Sequence, residues 1–271
     1  MIVLREHGPT REIEMSTRLS RLVGFKVSAF LHRGVLIDTG FPRARAELMA
    51  ALDRHTVTGA IVTHWHEDHA GNLSALVARG LPVSVSEQTL ALHRARPTVP
   101  YFRWAIWGHP RPDPNMSPVP VEHPFQLIPT PGHSPDHIAV FDPEERIAFT
   151  GDLFLGVRAC VVHDYESPLD TIASLRRIVA LDPRVVFDAH RGRIDEPRRL
   201  FGAKIEWLEE TMAAIRRLAE TGRSDLEIVK AVFGAEDRAA FVSRGDVSKQ
   251  NFVRIVRRGL PGPTGDSALS S

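Results

Sequence analysis

The chain has 271 residues, of which 43% are hydrophobic and 25% charged, and carries a formal net charge of +1. At this length about 75% of the unfolded surface is buried on folding, and the near-neutral charge favours neither nucleic acid nor a membrane surface as a bulk partner. A single cysteine, Cys160, excludes an internal disulfide framework and suits a reducing compartment.

The N-terminus, MIVLREHGPTREIEM, is punctuated by charges rather than built as a signal peptide. No segment reaches the roughly 20 apolar residues of a membrane span, so a cytoplasmic protein with no membrane partner is expected. IVLRE and VSAFLHRGVLIDTG read as strands, the latter turning near Arg33 and Gly34 and ending on Asp38-Thr39-Gly40. Pro42 to His55 predicts a helix with Leu48, Ala51 and Leu52 on one face. Gly59 to Thr63 reads as a short buried strand, and Leu73, Leu76 and Val77 start a helix that stops at Gly80. PVSVS and SEQTLALHRAR repeat the alternation of strand and helix, which predicts an α/β architecture.

From Arg96 to Pro124 that alternation breaks. The stretch is rich in proline, holds Tyr101, Phe102, Trp104 and Trp107, and has no sustained period, which predicts a lid or binding loop, its rings also anchoring it to the body. FQLIP, HIAVFD and RIAFTGD then read as antiparallel strands, with Pro129 to His137 as a connecting loop. Ser167 and Asp170 open a helix with Ile172, Leu175, Ile178 and Val179 facing inward. RVVFD leads into Ala189-His190. After Pro197 the reading is helical: a stripe of Phe201, Ile205, Leu208, Met212, Ile215 and Leu218, a second helix opened by Ser224 and Glu227, and a third carrying Lys249, Arg254, Arg257 and Arg258. The expected organisation is a catalytic domain over 1–196, a helical appendage over 197–260 and a flexible tail over 261–271.

The chemistry concentrates in Thr63 to Asn72, THWHEDHAGN. His64, His66, Asp68 and His69 stand within six positions, too many metal-competent groups for a packed core. They sit where a strand hands over to a helix, with His64 and His66 pointing the same way at period two. That places two ligand groups side by side, enough for two metal ions. His133 in a Pro-Gly-His turn, Asp152 after RIAFT and His190 after RVVFD occupy further strand ends and are candidates to complete the set.

Taken in order, Asp38-Thr39-Gly40, THWHEDHAGN, TPGHSPDH, Thr150-Gly151-Asp152 and His190 make the sequence resemble the metallo-β-lactamase superfamily, in its glyoxalase II-like, β-lactamase-like hydrolase branch. The resemblance spans Asp38 to about Gly192. It implies a four-layer αββα sandwich with a dinuclear metal centre at one edge. It further implies that His64, His66 and His133 hold the first metal, that Asp68, His69 and His190 hold the second, and that Asp152 bridges them. Asp38 and His137 match positions whose hydrogen bonds orient the ligands.

Independently of the resemblance, a nitrogen and oxygen donor set without cysteine suits two divalent ions, Zn²⁺ first, with iron and manganese also compatible. Two adjacent dications would supply hydroxide from a shared water at neutral pH, and Asp68 beside it could carry a proton. The expected reaction is hydrolysis of a thioester, lactone or other carboxylic ester.

The sequence departs from named branches. Leu155 stands where one group of lactone hydrolases has Tyr, the basic and tyrosyl set for glutathione is not evident, and Asp152 replaces the Cys common in zinc β-lactamases. His66 occupies a place where flavodiiron oxygen reductases have an acid. The alternative function is a phosphodiesterase or nuclease using the same centre, since Arg198 to Leu260 resembles a winged-helix-like appendage and the last helix is basic. A third reading is a non-catalytic metal-stabilised binding module, and a homodimer through the C-terminal helices stays open. Cys160 reads as a small buried residue.

Overall fold

A computed structural model describes residues 1–22, 24–95, 99–111, 113 and 115–259. The expected tail over 261–271 lies outside the described residues, as do Arg96, Pro97, Thr98, Pro112 and Pro114 of the proline-rich stretch. The chain forms two compact units, one of Met1–Ala159 with Ser167–Glu206, the other of Cys160–Glu166 with the residues from Trp207 onward.

In the first unit the chain begins with β1 (Ile2–His7), β2 (Thr10–Met15), α1 (Arg18–Leu22), β3 (Val27–His32) and β4 (Val35–Ile37). A 3-10 turn at Pro42–Ala44 leads into α2 (Arg45–Leu52), then β5 (Gly59–Ile61), α3 (Leu73–Ala78), β6 (Val83–Ser84), α4 (Glu87–Ala95) and α5 (Tyr101–Trp107). The six strands form one sheet in sequence order, antiparallel from β1 to β4 and parallel from β4 to β6.

A second sheet has the order β12-β11-β9-β8-β7. Its strands are β7 (Gln126–Pro129), β8 (Ile138–Asp142), β9 (Ile147–Phe149), β11 (Val185–Asp188) and β12 (Gly192–Ile194). Between β9 and β11 lie β10 (Val162–His163), which belongs to the second unit, and α6 (Pro168–Ala180). The β9–β11 pair is parallel and the others antiparallel.

Side-chain alternation explains the layering. Phe30, Ile37 and Ile61 of the first sheet share one core with Val140, Phe149 and Phe187 of the second, so the two sheets pack face to face. Their neighbours one position along, Ala29, Leu36, Ala60 and Val62, point the other way into a core with Leu48, Leu73, Leu76 and Trp107 of α2, α3 and α5, as period two requires. On the other side α6 buries Ile172, Leu175 and Ile178, and the Ser174 hydroxyl donates to the Pro131 carbonyl at 2.7 Å. The result is the four-layer αββα sandwich. The two sheets are also joined by a fully buried polar link, in which His32 on β3 is hydrogen-bonded to Asp142 on β8 (2.9 Å) and to Thr10 on β2 (2.8 Å).

In the second unit β10 pairs antiparallel with β13 (Val247–Ser248). The C-terminal part of α7 (Pro197–Glu220), α8 (Asp225–Phe233), α9 (Arg238–Val242) and α10 (Lys249–Arg258) complete it. Ser224 and Glu227 make a reciprocal capping box at α8, whereas at α6 the Ser167 hydroxyl accepts from the Asp170 amide. Cys160 is buried, and no helix among the described residues is long and apolar enough to cross a membrane.

Candidate metal centre

All the strands that carry site residues deliver them at one edge of the sandwich. The parallel strands β4 and β5 end in Asp38 and Thr63-His64; β9 and β11 end in Gly151-Asp152 and in Ala189-His190; β8, running the other way, begins just after His133 to His137. Between β5 and α3 the chain makes a compact turn. The His69 carbonyl accepts from the Thr39 amide and hydroxyl, each at 2.7 Å, and the Asn72 side-chain amide donates to the carbonyls of Thr39 and Phe41. Gly71 sits so tightly in this turn that a Cβ would lie 2.1 Å from the Glu67 carbonyl oxygen, so only glycine closes it.

The seven metal-competent side chains singled out in the sequence converge as two groups. His64, His66, His133 and Asp152 form one, Asp68, His69 and His190 the other, and within each group the donor atoms lie within 4.8 Å of one another. Asp152 touches both: its carboxylate oxygens are 3.4 Å from His133 Nε2, 3.2 Å from His69 Nε2 and 3.3 Å from His190 Nε2. Asp68 Oδ2 lies 3.5 Å from His190 Nε2.

Hydrogen bonds on the outer side of the rings set which nitrogen faces inward. His190 Nδ1 donates to the Lys26 carbonyl at 2.6 Å, leaving Nε2 with a lone pair toward the carboxylates. His69 Nδ1 meets Asp38 Oδ2 at 2.8 Å and presents Nε2 in the same way. Thr63 Oγ1 gives its proton to Asp38 and so receives one from His64 Nδ1 at 3.0 Å. His64 Nε2 is then buried with no hydrogen-bond partner among the described residues, an arrangement that costs energy unless a cation takes the lone pair. Asp38, at φ 62°, therefore orients two rings from a strained backbone.

Electrostatics point the same way. Burial holds the His64 imidazole well below its ordinary pKa. His69 and His190 are equally buried, yet the carboxylates of Asp152 and Asp68, joined at His69 by Asp38, outweigh burial and raise both rings well above the ordinary range. Carboxylates that outweigh burial at two imidazoles mark a site with surplus negative charge, which metal cations would balance. The donor set fits divalent ions.

His137 is placed differently. Its Nδ1 is hydrogen-bonded to Thr130 Oγ1 at 2.8 Å, its Nε2 accepts from the Asp152 amide at 3.2 Å, and burial lowers its pKa to about 3. It orients Asp152. Gly151, at φ 47°, lets this happen, since a Cβ there would lie 2.7 Å from His137 Nε2.

Three organising groups were not singled out in the sequence. Asp188 accepts from the amides of Leu155, His190 and Arg191 at 2.8 to 2.9 Å, linking the Asp152 and His190 loops. Asp136 accepts from the Trp65 amide (2.9 Å) and from the hydroxyls of Thr89 and Ser134, each at 2.7 Å. Glu67 and Arg103 make a buried two-pronged ion pair, both contacts at 2.5 Å, which pins α5 to the metal turn. Asp188 ends a strand two residues before a candidate ligand and Glu67 lies inside the histidine motif, which was the available signal; Arg103 carried none.

A two-sheet sandwich with paired histidine and carboxylate clusters at one edge defines a metallo-hydrolase class of fold. The family model for the metallo-beta-lactamase superfamily matches residues 28–190, and the chain belongs to that superfamily. It is 28% identical over 224 residues to an atrochrysone carboxyl ACP thioesterase of Aspergillus fumigatus, covering 74% of this chain and 64% of the relative. It is 24% identical over 240 residues to a beta-lactamase-like protein 2 homolog of Caenorhabditis elegans, covering 79% and 74%. The chain thus spans less than two thirds of the thioesterase's length. Among solved structures, a metallo-beta-lactamase family protein from Thermus thermophilus superposes with a TM-score of 0.66 at 20% identity, covering 92% of this chain and 93% of that one.

Proposed function

We propose that the chain is a dinuclear metal-dependent hydrolase of carboxylic thioesters, with lactones and other esters as related substrates. The observation that carries the reading is the position of Asp152, whose two oxygens reach donors of both histidine groups. His64, His66 and His133 would hold one ion, Asp68, His69 and His190 the other, and Asp152 both. When bound, two divalent ions, zinc first, supply an activated water and an electrophile for the carbonyl oxygen.

The chain's own groups do the rest. Burial opposes ionisation of Asp68, but His69 and His190 outweigh it and hold the carboxyl below its usual range. Asp68 can therefore accept a proton from the attacking water and return it to the leaving thiolate. Asp38 and the Lys26 carbonyl fix the rings, and His137 fixes the Asp152 backbone. The thioesterase relative supports the choice of substrate class.

The phosphodiesterase or nuclease reading ranks second. It rests on the basic helix α10, yet Arg254 and Arg257 are turned onto Asp225 at 3.4 and 2.9 Å, and Arg258 donates to the Asp164 carbonyl. We take residues 1–196 as the catalytic domain and 197–260 as its appendage.

The test is a panel of acyl thioesters, lactones and a bis-aryl phosphodiester with metal-loaded protein, beside metal analysis. Thioester turnover with close to two ions per chain is expected. Turnover of the phosphodiester alone would overturn the substrate class, and full activity with one ion would overturn the bridging role of Asp152.

A further inference from the structure

One surface groove of the first unit combines rings with free positive charge. It has a volume of about 480 Å³ and lies between α1, the 3-10 turn after β4, and α5. Leu19, Tyr101 and Trp104 line it, all three exposed, Tyr101 by 77%. Arg18 and Arg43 stand beside them. Several arginines elsewhere in the chain meet a carboxylate, as Arg5 meets Glu14, Arg33 meets Glu144 and Arg257 meets Asp225. Arg18 and Arg43 have no such partner among the described residues.

Both walls of the groove are tied along the chain to residues that hold the candidate site. The segment that carries Arg18 and Leu19 runs on to Lys26, whose carbonyl receives the His190 Nδ1 proton. Helix α5, which carries Tyr101 and Trp104, also carries Arg103, bonded to Glu67 inside the metal turn. A molecule held in the groove therefore rests on α5, which Arg103 ties to Glu67 beside the candidate ligands.

We propose that this groove binds the phosphate-bearing arm of a small acyl thioester of the coenzyme A type. Arg18 and Arg43 take its phosphate groups, and Tyr101 and Trp104 take the apolar and ring portions. The inference rests on the thioesterase reading above and adds a leaving-group specificity to it. Charge complementarity selects the occupant. A plain acyl chain would leave two guanidinium groups unused, and free phosphate would leave two exposed rings unused. A cavity of this volume is in the range for a small ligand, whereas a carrier protein would need a contact patch of about 800 Å² on each partner.

The experiment compares three substrates sharing one acyl group: the coenzyme A thioester, the N-acetylcysteamine thioester, which lacks every phosphate, and a carrier-protein thioester. Alongside it, binding of S-methyl coenzyme A, which has neither a free thiol nor a hydrolysable bond, is followed by calorimetry on the metal-loaded protein. Arg18→Ala and Arg43→Ala are each expected to raise KM for the coenzyme A thioester and Kd for S-methyl coenzyme A by roughly 10-fold, the loss of one charged hydrogen-bonding contact. Both variants should leave kcat/KM on the N-acetylcysteamine thioester unchanged.

Equal effects on both small thioesters, or no effect on either, would overturn the groove assignment. A preference for the carrier-protein thioester without discrimination between the small ones would overturn the small-molecule occupant. If no thioester turns over, the hydrolase reading fails; tight, arginine-dependent binding of S-methyl coenzyme A would still uphold the groove.

Discussion

At the scale of single residues, the candidate donor positions could be proposed from sequence because side chains able to ligate a metal are of few types and here crowd together. Three histidines and an aspartate packed into Thr63 to Asn72 have little use except as ligands, and the structure brings His133, Asp152 and His190 to them. The residues that hold the ligands were less legible, because they act through backbone amides that any sequence contains. Asp188 is the clearest case. Replacing it with Asn leaves one side-chain acceptor for three half-buried amide donors. Asp188→Asn is expected to destabilise the metal-free protein by about 1–3 kcal/mol, read as a shift of the urea midpoint. A change below about 0.5 kcal/mol would show that the amides find other acceptors.

His93 gives a prediction in pH. It is buried on α4, shares a hydrogen bond with Ser74 at 3.0 Å, and burial lowers its pKa below the ordinary 6.5. As pH falls below that value the unfolded chain takes up a proton at His93 before the folded one does. The contribution to stability is thus full above about pH 6.5 and is lost as pH falls toward the folded value. His93→Gln removes this linkage, so the fall in stability between about pH 7 and about pH 5 should be shallower than in the parent. An equal fall in unfolding free energy between the two pH values for variant and parent, measured by urea unfolding, would refute the assignment.

At the scale of elements, strands flagged by apolar runs, such as β3, β5, β8, β9 and β11, were readable, and so were helices with a long stripe such as α6 and α7. Several short elements were not, and two of them, β2 and α5, show why. β2 reads TREIEM, with charges where a strand would ordinarily show apolar residues, but it lies between β1 and β3, and its Glu12 is satisfied by Ser28 at 2.7 Å and His7 at 3.0 Å. Helix α5 was hidden by the prolines around it; tertiary contacts, not periodicity, define it, through Trp107 packed near Phe41 and through Arg103.

That ion pair can be tested as a pair. Removing one partner leaves a buried charge without compensation, so Arg103→Met alone is expected to cost about 3–5 kcal/mol. In the double variant Arg103→Met, Glu67→Gln no charge is stranded, and much of that loss should be recovered. A double-mutant cycle on urea unfolding measures the coupling. If the double variant were as unstable as the sum of the singles, α5 would be held by its apolar face and not by Arg103.

At the scale of the whole molecule, the candidate metal centre is where the layers of the sandwich are joined by chemistry instead of packing. His64, Asp68 and His69 come from the first sheet's edge, His133, Asp152 and His190 from the second's. Between the sheets the Phe30, Phe149 and Phe187 core supplies apolar cohesion, but at the edge the facing groups are carboxylates and imidazoles. Without cations these groups keep surplus negative charge and a stranded His64 Nε2. Bound ions would turn the same groups into a link between the sheets, and any ligand that binds only the folded chain stabilises it by mass action. Chelation should therefore lower the melting temperature and the stability, by about 2.7 kcal/mol for each ion held at 100 times its dissociation constant. Adding back zinc should restore the parent value. Asp152→Ala should remove most of this metal-dependent increment, because its carboxylate reaches donors in both groups. An increment that survived Asp152→Ala in full would place the stabilising ion elsewhere and separate the thermal effect of zinc from the proposed site.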